Sequence, residues 1–125
     1  MNTNPLVSIL IPIYNVEKYL GKCLDSVFSQ TYKNVEFVFV DDCSTDNSYN
    51  VLISSIKQNN IPEYKYTIVS HKQNEGIAVS RADCIANAKG EYVQFVDSDD
   101  WIEPDMTETL VEATKSSQID LVGCY

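Results

Sequence analysis

The chain has 125 residues, a formal net charge of −9 and a hydrophobic content of 44%, which suits one domain, residues 1–125, with a single core. The excess of acid argues against nucleic acid as the main partner, because phosphate backbones attract patches of Lys and Arg. No apolar run is long enough to span a bilayer, and no signal peptide is expected. Four widely spaced cysteines argue against a zinc site and are typical of reduced thiols in a cytoplasmic protein: Cys23, Cys43, Cys84 and Cys124.

Short β-branched or aromatic runs alternate along the chain with segments whose apolar residues recur every three or four positions. The predicted strands are Val7–Pro12, Val35–Val40, Tyr66–Ser70, Tyr92–Val96 and 119–125. The predicted helices are Glu17–Gln30, Asn47–Gln58, Gly76–Ala88 and Asp105–Ser117. This alternation predicts an α/β fold in which helices flank a mostly parallel sheet.

Local signals predict where these elements begin and end. Pro12 lacks an N–H and is expected to mark the end of the first strand. Asn15 is the predicted N-cap of the first helix, whose inward stripe is expected to include Tyr19 and Phe28. Gly90 is expected to stop the third helix, whose small residues predict close packing against the sheet.

Three carboxylates follow the fourth predicted strand within four positions, Asp97, Asp99 and Asp100. Like charges at the end of a buried strand are costly unless a positive group lies among them. A hard divalent cation, Mg²⁺ or Mn²⁺, is the simplest such group, and substrate phosphates fill its open positions. The pattern therefore predicts a metal–diphosphate site. Short acids also favour turns and helix caps, and on this segment alone both interpretations stay open.

A second acidic group follows the second predicted strand. Asp41 and Asp42 lie where a carboxylate either accepts a hydrogen bond from a base or ribose or shapes the loop, and we favour ligand contact for Asp42. For Ser44, Thr45 and Asp46 we favour a structural role at the start of the next helix.

Three other side chains have two interpretations each. Tyr14 follows the first strand and either stacks on a base or packs against the next helix. Arg81 is either a salt-bridge partner of the acid clusters or a ligand of phosphate or ribose, and both interpretations place it at the same site. His71 is the only histidine, and a lone histidine is more often a surface or capping residue than a catalyst.

Five stretches in this order resemble the nucleotide-binding half of the inverting GT-A glycosyltransferases of family 2. They are 7–15, 26–32, 40–46, 74–76 with Arg81, and 95–100. The resemblance covers nearly the whole chain, and it implies a GT-A, Rossmann-like fold. Its five motifs together are far more specific than any one of them.

The resemblance implies a role for each matching residue on the nucleotide side. The expected contacts surround the base and ribose: Pro12 and Tyr14 at the base, with Tyr14 stacking on the ring, Glu17 near the ribose, Asp42 accepting from the base N3–H with Asp41 close behind, and Arg81 helping to hold the nucleotide.

On the metal side, the resemblance implies that Asp97 and Asp99 form a D-x-D pair. Asp97 is expected to lie towards the ribose and Asp99 on the metal, Mn²⁺ or Mg²⁺. Asp100 is expected to lie beside the metal or the donor sugar.

The resemblance also implies an activity. A nucleotide sugar, most commonly a UDP-sugar, would donate its sugar in a single displacement to a saccharide or lipid-linked acceptor, as in surface-polysaccharide synthesis on the cytoplasmic face of a membrane. The general base of the family lies well downstream of the D-x-D pair, so no residue here is assigned as catalytic. We therefore expect a longer transferase cut after about the fifth strand, inactive alone and prone to form homo-oligomers.

Two other classes compete with this interpretation. A sugar-phosphate nucleotidyltransferase needs a glycine-rich basic loop after the first strand, and residues 13–16 are neither glycine-rich nor basic. A non-catalytic nucleotide-binding or assembly module would explain the missing base. Metal-dependent binding of a nucleoside diphosphate would favour a donor site over an assembly role.

Overall fold

The structure, a computed structural model, describes residues 4–117. The strands are β1 (Val7–Ile13), β2 (Val35–Asp41), β3 (Tyr66–Ser70) and β4 (Tyr92–Phe95). The helices are α1 (Glu17–Phe28), α2 (Ser48–Gln58), α3 (Ile77–Ala86) and α4 (Met106–Ser117), and one 3₁₀ turn covers Glu63–Lys65. None of these helices combines the length and the apolarity needed to cross a membrane. The strand predicted at 119–125 lies outside the described residues.

The strands of residues 4–117 are parallel and lie in the order β3-β2-β1-β4. The prediction of an α/β fold with a mostly parallel sheet flanked by helices is therefore confirmed. The chain builds outward from β1 to β3 and then returns to place β4 on the other side of β1. Open α/β sheets bind ligands beyond the carboxyl ends of their strands at such a reversal, which here lies between β1 and β4.

The two central strands, β1 and β2, are buried along their whole length. Helices α1, α2 and α4 cover one face of the sheet, over the larger core cluster, which includes Ile9, Ile11, Phe37, Phe39, Leu20, Leu24, Leu52 and Val111. Helix α3 covers the other face, over a smaller cluster of Leu10, Val38, Val40 and Cys84. Coverage of both faces explains why β1 and β2 have almost continuous apolar sequences.

Pro12 lies within β1, one residue before its end, and pairs in register with Val40. The backbone groups of odd-numbered β1 residues bond to β2, as in the bond from Asp42 N to Ile13 O (2.9 Å). Those of even-numbered residues face β4, as in the bond from Val96 N to Leu10 O (3.0 Å), so the nitrogen of Pro12 is on the β4 side. The pairing of β1 with β4 ends at Leu10. The missing N–H of proline therefore leaves no sheet bond unmade, and the strand continues one residue further than predicted.

Helix α1 differs from the prediction at both ends and on its surface. Its N-cap is Val16, without a side-chain capping bond, because Asn15 adopts a left-handed φ of 51° and bonds to the turn after β2 instead. The helix ends at Phe28, two residues earlier than predicted. Tyr19 is exposed rather than inward, whereas Phe28 packs edge-on against Phe37 as the stripe requires.

Helix α3 is shorter than predicted and exposes most of its small residues. It spans Ile77–Ala86, and only Ser80 and Cys84 of its residues are buried. The prediction that its small residues pack closely against the sheet is therefore wrong for most of them. This helix touches β1 and β2 along a narrow strip, and the rest of its surface faces solvent.

Gly90 does not stop α3, which ends four residues earlier. It allows a close approach to β1, because a Cβ at this position would lie 2.7 Å from both Leu6 O and Ser8 Oγ. The buried carboxylate of Glu36 fixes the same turn, accepting from Ser8 Oγ (2.5 Å) and Lys89 N (2.6 Å). Backbone packing, not helix termination, is what requires glycine here.

Candidate functional site

An open cleft of about 530 Å³ lies at the carboxyl end of the sheet, at the reversal of strand order. The ends of β1 and β2, the start of α3 and the segment after β4 all contribute to it. Its lining residues are Pro12, Ile13, Tyr14, Val16, Asp42, Asn74, Gly76, Ile77, Ser80, Arg81, Asp97, Ser98 and Asp99. The cleft therefore brings together residues that are up to 87 positions apart in sequence, from Pro12 to Asp99.

The carboxylate of Asp42 is buried and held by three donors. Its Oδ1 accepts from Glu75 N (2.8 Å) and from His71 Nδ1 (2.8 Å), and its Oδ2 accepts from Gly76 N (3.0 Å). We call these four residues the Asp42 wall. A carboxylate can accept about four hydrogen bonds, so Asp42 retains capacity for a donor on a ligand in the cleft.

These contacts also set the charge of Asp42. Burial alone raises its pKa, but the hydrogen bonds from Glu75 N–H, the His71 ring and Gly76 N–H outweigh burial, so the pKa lies below its ordinary value of 3.8. Gly76 has a φ of 94°, a conformation that a side chain would strain. The Asp42 wall is thus an ionised acceptor, fixed by the protein itself.

His71 is not the surface or capping residue that the sequence suggested. Its side chain is 5% exposed and lies between two carboxylates, with Nδ1 2.8 Å from Asp42 Oδ1 and Nε2 2.6 Å from Asp83 Oδ2. These hydrogen bonds, to Asp42 first and then to Asp83, raise its pKa above the ordinary value of 6.5. Sequence alone missed the pair because Asp42 and Asp83 reach His71 only through the fold.

Side-chain hydrogen bonds join the turns that follow β1 and β2. Asn15 Oδ1 accepts from Thr45 N (2.8 Å), and Asn15 Nδ2 donates to Thr45 Oγ1 (3.1 Å). Ser44 Oγ donates to Asp41 Oδ1 (2.6 Å) and accepts from Asn15 N (3.1 Å). Ser44 and Thr45 thus have a structural role, but they join these two turns instead of capping α2 as predicted. The side chain of Asp41 is engaged behind the cleft rather than in its lining.

Asp46 has a structural role as well, at the start of two helices. Its carboxylate accepts from Glu17 N (3.2 Å) and from Ser48 N (2.9 Å), the first residues of α1 and α2. A carboxylate is favourable at a helix N-terminus, where the backbone dipoles leave a partial positive charge. Glu17 itself is exposed on α1 and lies outside the cleft lining.

The acidic loop, residues 97–100, forms the opposite part of the cleft. Asp97, Asp99 and Asp100 are all exposed, and one carboxylate oxygen of each lies within 4.8 Å of the others. Asp97 and Asp99 line the cleft, whereas Asp100 lines a neighbouring depression beside Trp101. Clustered carboxylate oxygens with solvent access are the donor set that Mg²⁺ and Mn²⁺ prefer, so these residues fit such an ion.

Helix α1 and its C-terminal end hold the acidic loop in place. Cys23 Sγ donates to Asp97 O (3.6 Å), and Ser26 Oγ accepts from Ile102 N (3.1 Å). Burial first, and then the charges of Asp100, Asp99 and Asp97, raise the pKa of Cys23 to about 12. Cys23 therefore acts here as a neutral donor to the backbone of the loop.

Gln30 fixes the segment that follows the acidic loop. Its Nε2 donates to Glu103 O (2.8 Å), and its Oε1 accepts from Thr107 N (3.0 Å). Thr107 Oγ1 in turn donates to Gln94 Oε1 of β4 (2.8 Å). A buried amide side chain after α1 thus positions the α4 end of the segment between β4 and α4, and Thr107 connects that end to β4. Sequence analysis did not identify this role of Gln30.

Three side chains between the two regions face the cleft. Tyr14 is 45% exposed, so packing against α1 does not account for it. Arg81 Nη2 lies 3.8 Å from Asp97 Oδ1, at the site where both interpretations of Arg81 placed it. Ser80 Oγ is buried and has no hydrogen-bond partner within residues 4–117. A buried hydroxyl without a protein partner at a cleft is suited to a ligand, and sequence analysis missed Ser80.

The structure therefore brings most of the predicted site residues into one cleft. Pro12, Tyr14, Asp42, Arg81, Asp97 and Asp99 line it, and Asp100 adjoins it through the carboxylate cluster. It does not place Glu17 or Asp41 in the lining. Cys23, Cys43 and Cys84 are free thiols, as predicted, and Cys124 lies outside the described residues.

Comparison with known proteins identifies relatives along nearly the whole chain. Residues 8–124 match the family model described as glycosyl transferase family 2. The chain is 42% identical over 120 residues to "Glycosyltransferase GlyA" of Streptococcus pneumoniae serotype 4, covering 95% of this chain and 16% of GlyA. It spans only 16% to 38% of the length of the three curated relatives GlyA, EpsH and GlyG.

Two similar solved structures contain nucleotide sugars. S. aureus TarS 1–349 in complex with UDP-GlcNAc superposes with a TM-score of 0.79 at 29% identity, covering 90% of this chain and 32% of TarS. The mannosyltransferase PcManGT from Pyrobaculum calidifontis, in complex with GDP-Man and Mn²⁺, superposes with a TM-score of 0.75 at 28% identity, covering 89% of this chain and 32% of PcManGT.

Proposed function

The chain belongs to glycosyl transferase family 2, and from this premise we propose that its cleft binds the nucleotide diphosphate of a sugar donor with the help of a divalent cation. The observation that carries the proposal is the cleft itself. It joins a buried ionised acceptor, Asp42, to an exposed cluster of carboxylates at the carboxyl edge of a parallel sheet. A nucleobase needs a fixed hydrogen-bond acceptor such as Asp42, and a diphosphate needs a cation, which the exposed carboxylates could hold.

The nucleoside is proposed to occupy the part of the cleft formed by β1, β2 and α3. Asp42 accepts from a ring N–H of the base, using the capacity that its three protein donors leave open. Tyr14 stacks on the base beside Pro12. Ser80 Oγ, which lacks a protein partner within residues 4–117, gains one on the nucleotide.

The diphosphate is proposed to lie by the acidic loop. Asp99 and Asp97, with Asp100 beside them, would hold Mn²⁺ or Mg²⁺. The positive charge of this cation would offset the negative charge of the diphosphate leaving group. Arg81, half exposed beside Asp97, supplies a further positive charge to the nucleotide. Support for a cation comes from the fit of the carboxylate cluster and from the Mn²⁺ named with PcManGT.

The proposed reaction is an inverting transfer. The bond between the anomeric carbon and the phosphate oxygen breaks as an acceptor hydroxyl attacks from the opposite face, and the hydroxyl proton passes to a general base. We assign no residue of this chain as that base. A saccharide or lipid-linked acceptor and a cytoplasmic location near a membrane remain predictions from the family resemblance.

Calorimetric titration of UDP, and of GDP in parallel, tests the donor site. We expect binding in Mn²⁺ that EDTA abolishes. We expect Asp99→Ala to weaken Mn²⁺-dependent binding by at least about tenfold, since even outer-sphere partners of metal ligands have effects of this size. Asp105→Ala is the matched control, because Asp105 is an exposed acid on the same segment that lies outside the cleft.

Two results would count against this proposal in different ways. Equal affinity in Mn²⁺ and in EDTA would exclude the cation while keeping a nucleotide site. If neither UDP nor GDP bound, in Mn²⁺ or in EDTA, the donor site as a whole would be contradicted.

A further inference from the structure

His71 connects two parts of the cleft that belong to different elements. Its Nδ1 is 2.8 Å from Asp42 Oδ1, at the end of β2, and its Nε2 is 2.6 Å from Asp83 Oδ2, on α3. The ring is almost fully buried, with 5% of the side chain exposed. Its backbone N also donates to Asp41 O (2.9 Å), which fixes the residue at the edge of the sheet.

We infer that His71, carrying a proton on both ring nitrogens, is a positioning residue that links Asp42 to α3, and that loss of one of these protons weakens nucleotide binding. The inference rests on the proposed function, because it takes the cleft to be a nucleotide site. It adds to that function a residue that does not touch the nucleotide and a dependence on pH.

Both links require both protons. The acceptors on either side of the ring are carboxylate oxygens, and an ionised carboxylate cannot donate. A neutral imidazole has one N–H, so it can donate to Asp42 or to Asp83 but not to both. Whichever bond is lost, a ring lone pair then faces a carboxylate oxygen, and the connection between β2 and α3 is broken.

Both linked elements contribute to the cleft. Asp42 lines it directly, and α3 contributes Ser80 and Arg81, which lie three and two positions before Asp83. Fixing α3 against the end of β2 therefore fixes the distance between the acceptor for the base and the groups proposed to meet the rest of the nucleotide. When the protein has already fixed the geometry of a site, ligand binding costs less conformational free energy, because fewer groups have to be ordered.

The charges around His71 favour the doubly protonated ring. Asp42 faces it from β2 and Asp83 from α3, and Glu75 Oε2 on the connecting loop lies 3.8 Å from Nδ1. The adjacent Lys72 is exposed. The hydrogen bonds to Asp42 and Asp83 raise the pKa of His71 above 6.5 even though burial opposes this. The link is therefore complete below pH 6.5 and is lost as pH rises through the raised pKa.

The proton state of His71 can be measured directly because it is the only histidine in the chain. In tag-free protein labelled with ¹⁵N, the two ring nitrogens give one pair of NMR signals, and their titration yields the pKa without any ligand. We expect a pKa above 6.5 in the wild type and a lower one in Asp83→Asn, because the variant removes a negative charge beside Nε2.

Binding of UDP, measured across the same pH range with Mg²⁺, tests the link. Wild-type affinity should fall by about tenfold as pH rises through the measured pKa of His71, the effect of losing one charge-assisted hydrogen bond. Asp83→Asn should not show this fall. The amide of Asn at this position can donate to the neutral Nε2 while Nδ1–H still donates to Asp42, so both links persist without the second proton.

Two further variants make the test specific. Asp83→Ala removes the α3 link at every pH and should bind UDP as weakly at neutral pH as the wild type does at high pH. Glu112→Gln removes an exposed acid of α4 that pairs with Lys115 and should keep the wild-type pH profile. Deprotonation of uracil at high pH affects all of these proteins alike, so the differences between them report on His71.

The outcomes separate this inference from the proposed function. UDP affinity that stays constant through the pKa of His71, or that falls equally in Asp83→Asn, would overturn the inference and leave the donor site standing. Absence of UDP and GDP binding at every pH, in the wild type as in Asp99→Ala, would overturn the proposed function and the inference with it.

Discussion

The Asp42 wall and the acidic loop line the same cleft, yet their carboxylates are held in opposite ways. Asp42 is buried, and its oxygens accept hydrogen bonds from three groups of the protein. Asp97, Asp99 and Asp100 are exposed and clustered. Within residues 4–117 their single ion pair is the 3.8 Å contact between Arg81 Nη2 and Asp97 Oδ1. Hydrogen bonds from the protein therefore stabilise the charge of Asp42, whereas the charges of the acidic loop are left largely uncompensated.

This difference indicates which parts of a ligand each region can recognise. A fixed acceptor with one remaining lone pair can accept a hydrogen bond from a correctly oriented donor such as a base N–H. A cluster of exposed like charges is instead favourable only when positive charge enters it. The protein thus contributes the geometry on one side of the cleft and leaves charge compensation on the other side to a ligand. The predictions below change one region at a time and measure the other.

The largest effect on stability is expected from Asp42→Asn. The amide keeps one acceptor but points an NH₂ group at donors of the Asp42 wall, and a buried, unpaired group results. The free energy of unfolding should fall by about 3 kcal/mol in urea titrations, as for other disrupted buried hydrogen bonds to charge. Asp105→Asn, on the surface, should stay close to the wild type. A loss below 1 kcal/mol for Asp42→Asn, on the order of a surface substitution, would mean that the wall is not rigid.

A somewhat smaller loss is expected from Gln30→Ala. Removal of this buried amide leaves Glu103 O and Thr107 N without their partner, and the free energy of unfolding should fall by about 2 kcal/mol. The acidic loop is anchored through the same segment, so Mn²⁺-dependent UDP binding should weaken too. The NMR signals of His71 should not move, since the Asp42 wall makes no contact with Gln30. Movement of those signals would show that the two regions are coupled.

The pH dependence of stability should reveal the contribution of the Asp42 wall, with Asp46 adding to the acid side because hydrogen bonds from Ser48 and Glu17 N–H lower its pKa despite burial. The pKa of Asp42 is depressed in the fold, so its contribution is complete above 3.8 and is lost as pH falls through the folded-state value. The pKa of His71 is raised, so its contribution is complete below 6.5 and is lost as pH rises through the folded-state value. Urea unfolding should show the full contribution of the pair between pH 3.8 and 6.5.

Asp83→Asn supplies the control for this pH profile. The alkaline decline of stability should become shallower in the variant, while the acid decline, to which Asp42 and Asp46 contribute, should remain. A profile identical to that of the wild type would show that Asp83 does not hold the proton on His71.

The smallest effect on stability is expected from Asp99→Asn, and its sign should be opposite. Removing one of three clustered negative charges relieves repulsion in the metal-free chain, so the thermal midpoint should rise slightly. The increase in thermal midpoint that Mn²⁺ gives the wild type should disappear in the variant. A clear loss of metal-free stability would show that Asp99 has a structural partner and that the comparison between the two regions fails.

Much of the architecture followed from sequence because its causes are local. Continuous apolar runs predicted the buried strands, and helical periodicity predicted the helices between them. The positions of Asp42 and of Asp97 and Asp99 also followed, since residues directly after parallel strands meet at one edge of the sheet. Errors arose where contacts are not local: Asn15 bonds to a distant turn instead of capping α1, and Tyr19 faces solvent despite its spacing.

The partners of each side chain were decided only by the tertiary structure. No spacing in the sequence shows that His71 lies between Asp42 and Asp83, that Ser80 Oγ is buried without a partner within residues 4–117, or that Gln30 fixes the segment after the acidic loop. The sequence by itself determined the strands, the helices and the identity of the acids at the sheet edge, because periodicity and strand ends act over a few residues. Burial and hydrogen bonding depend on packing between distant segments, so only the folded chain decided which of those acids the protein satisfies itself and which it leaves to a ligand.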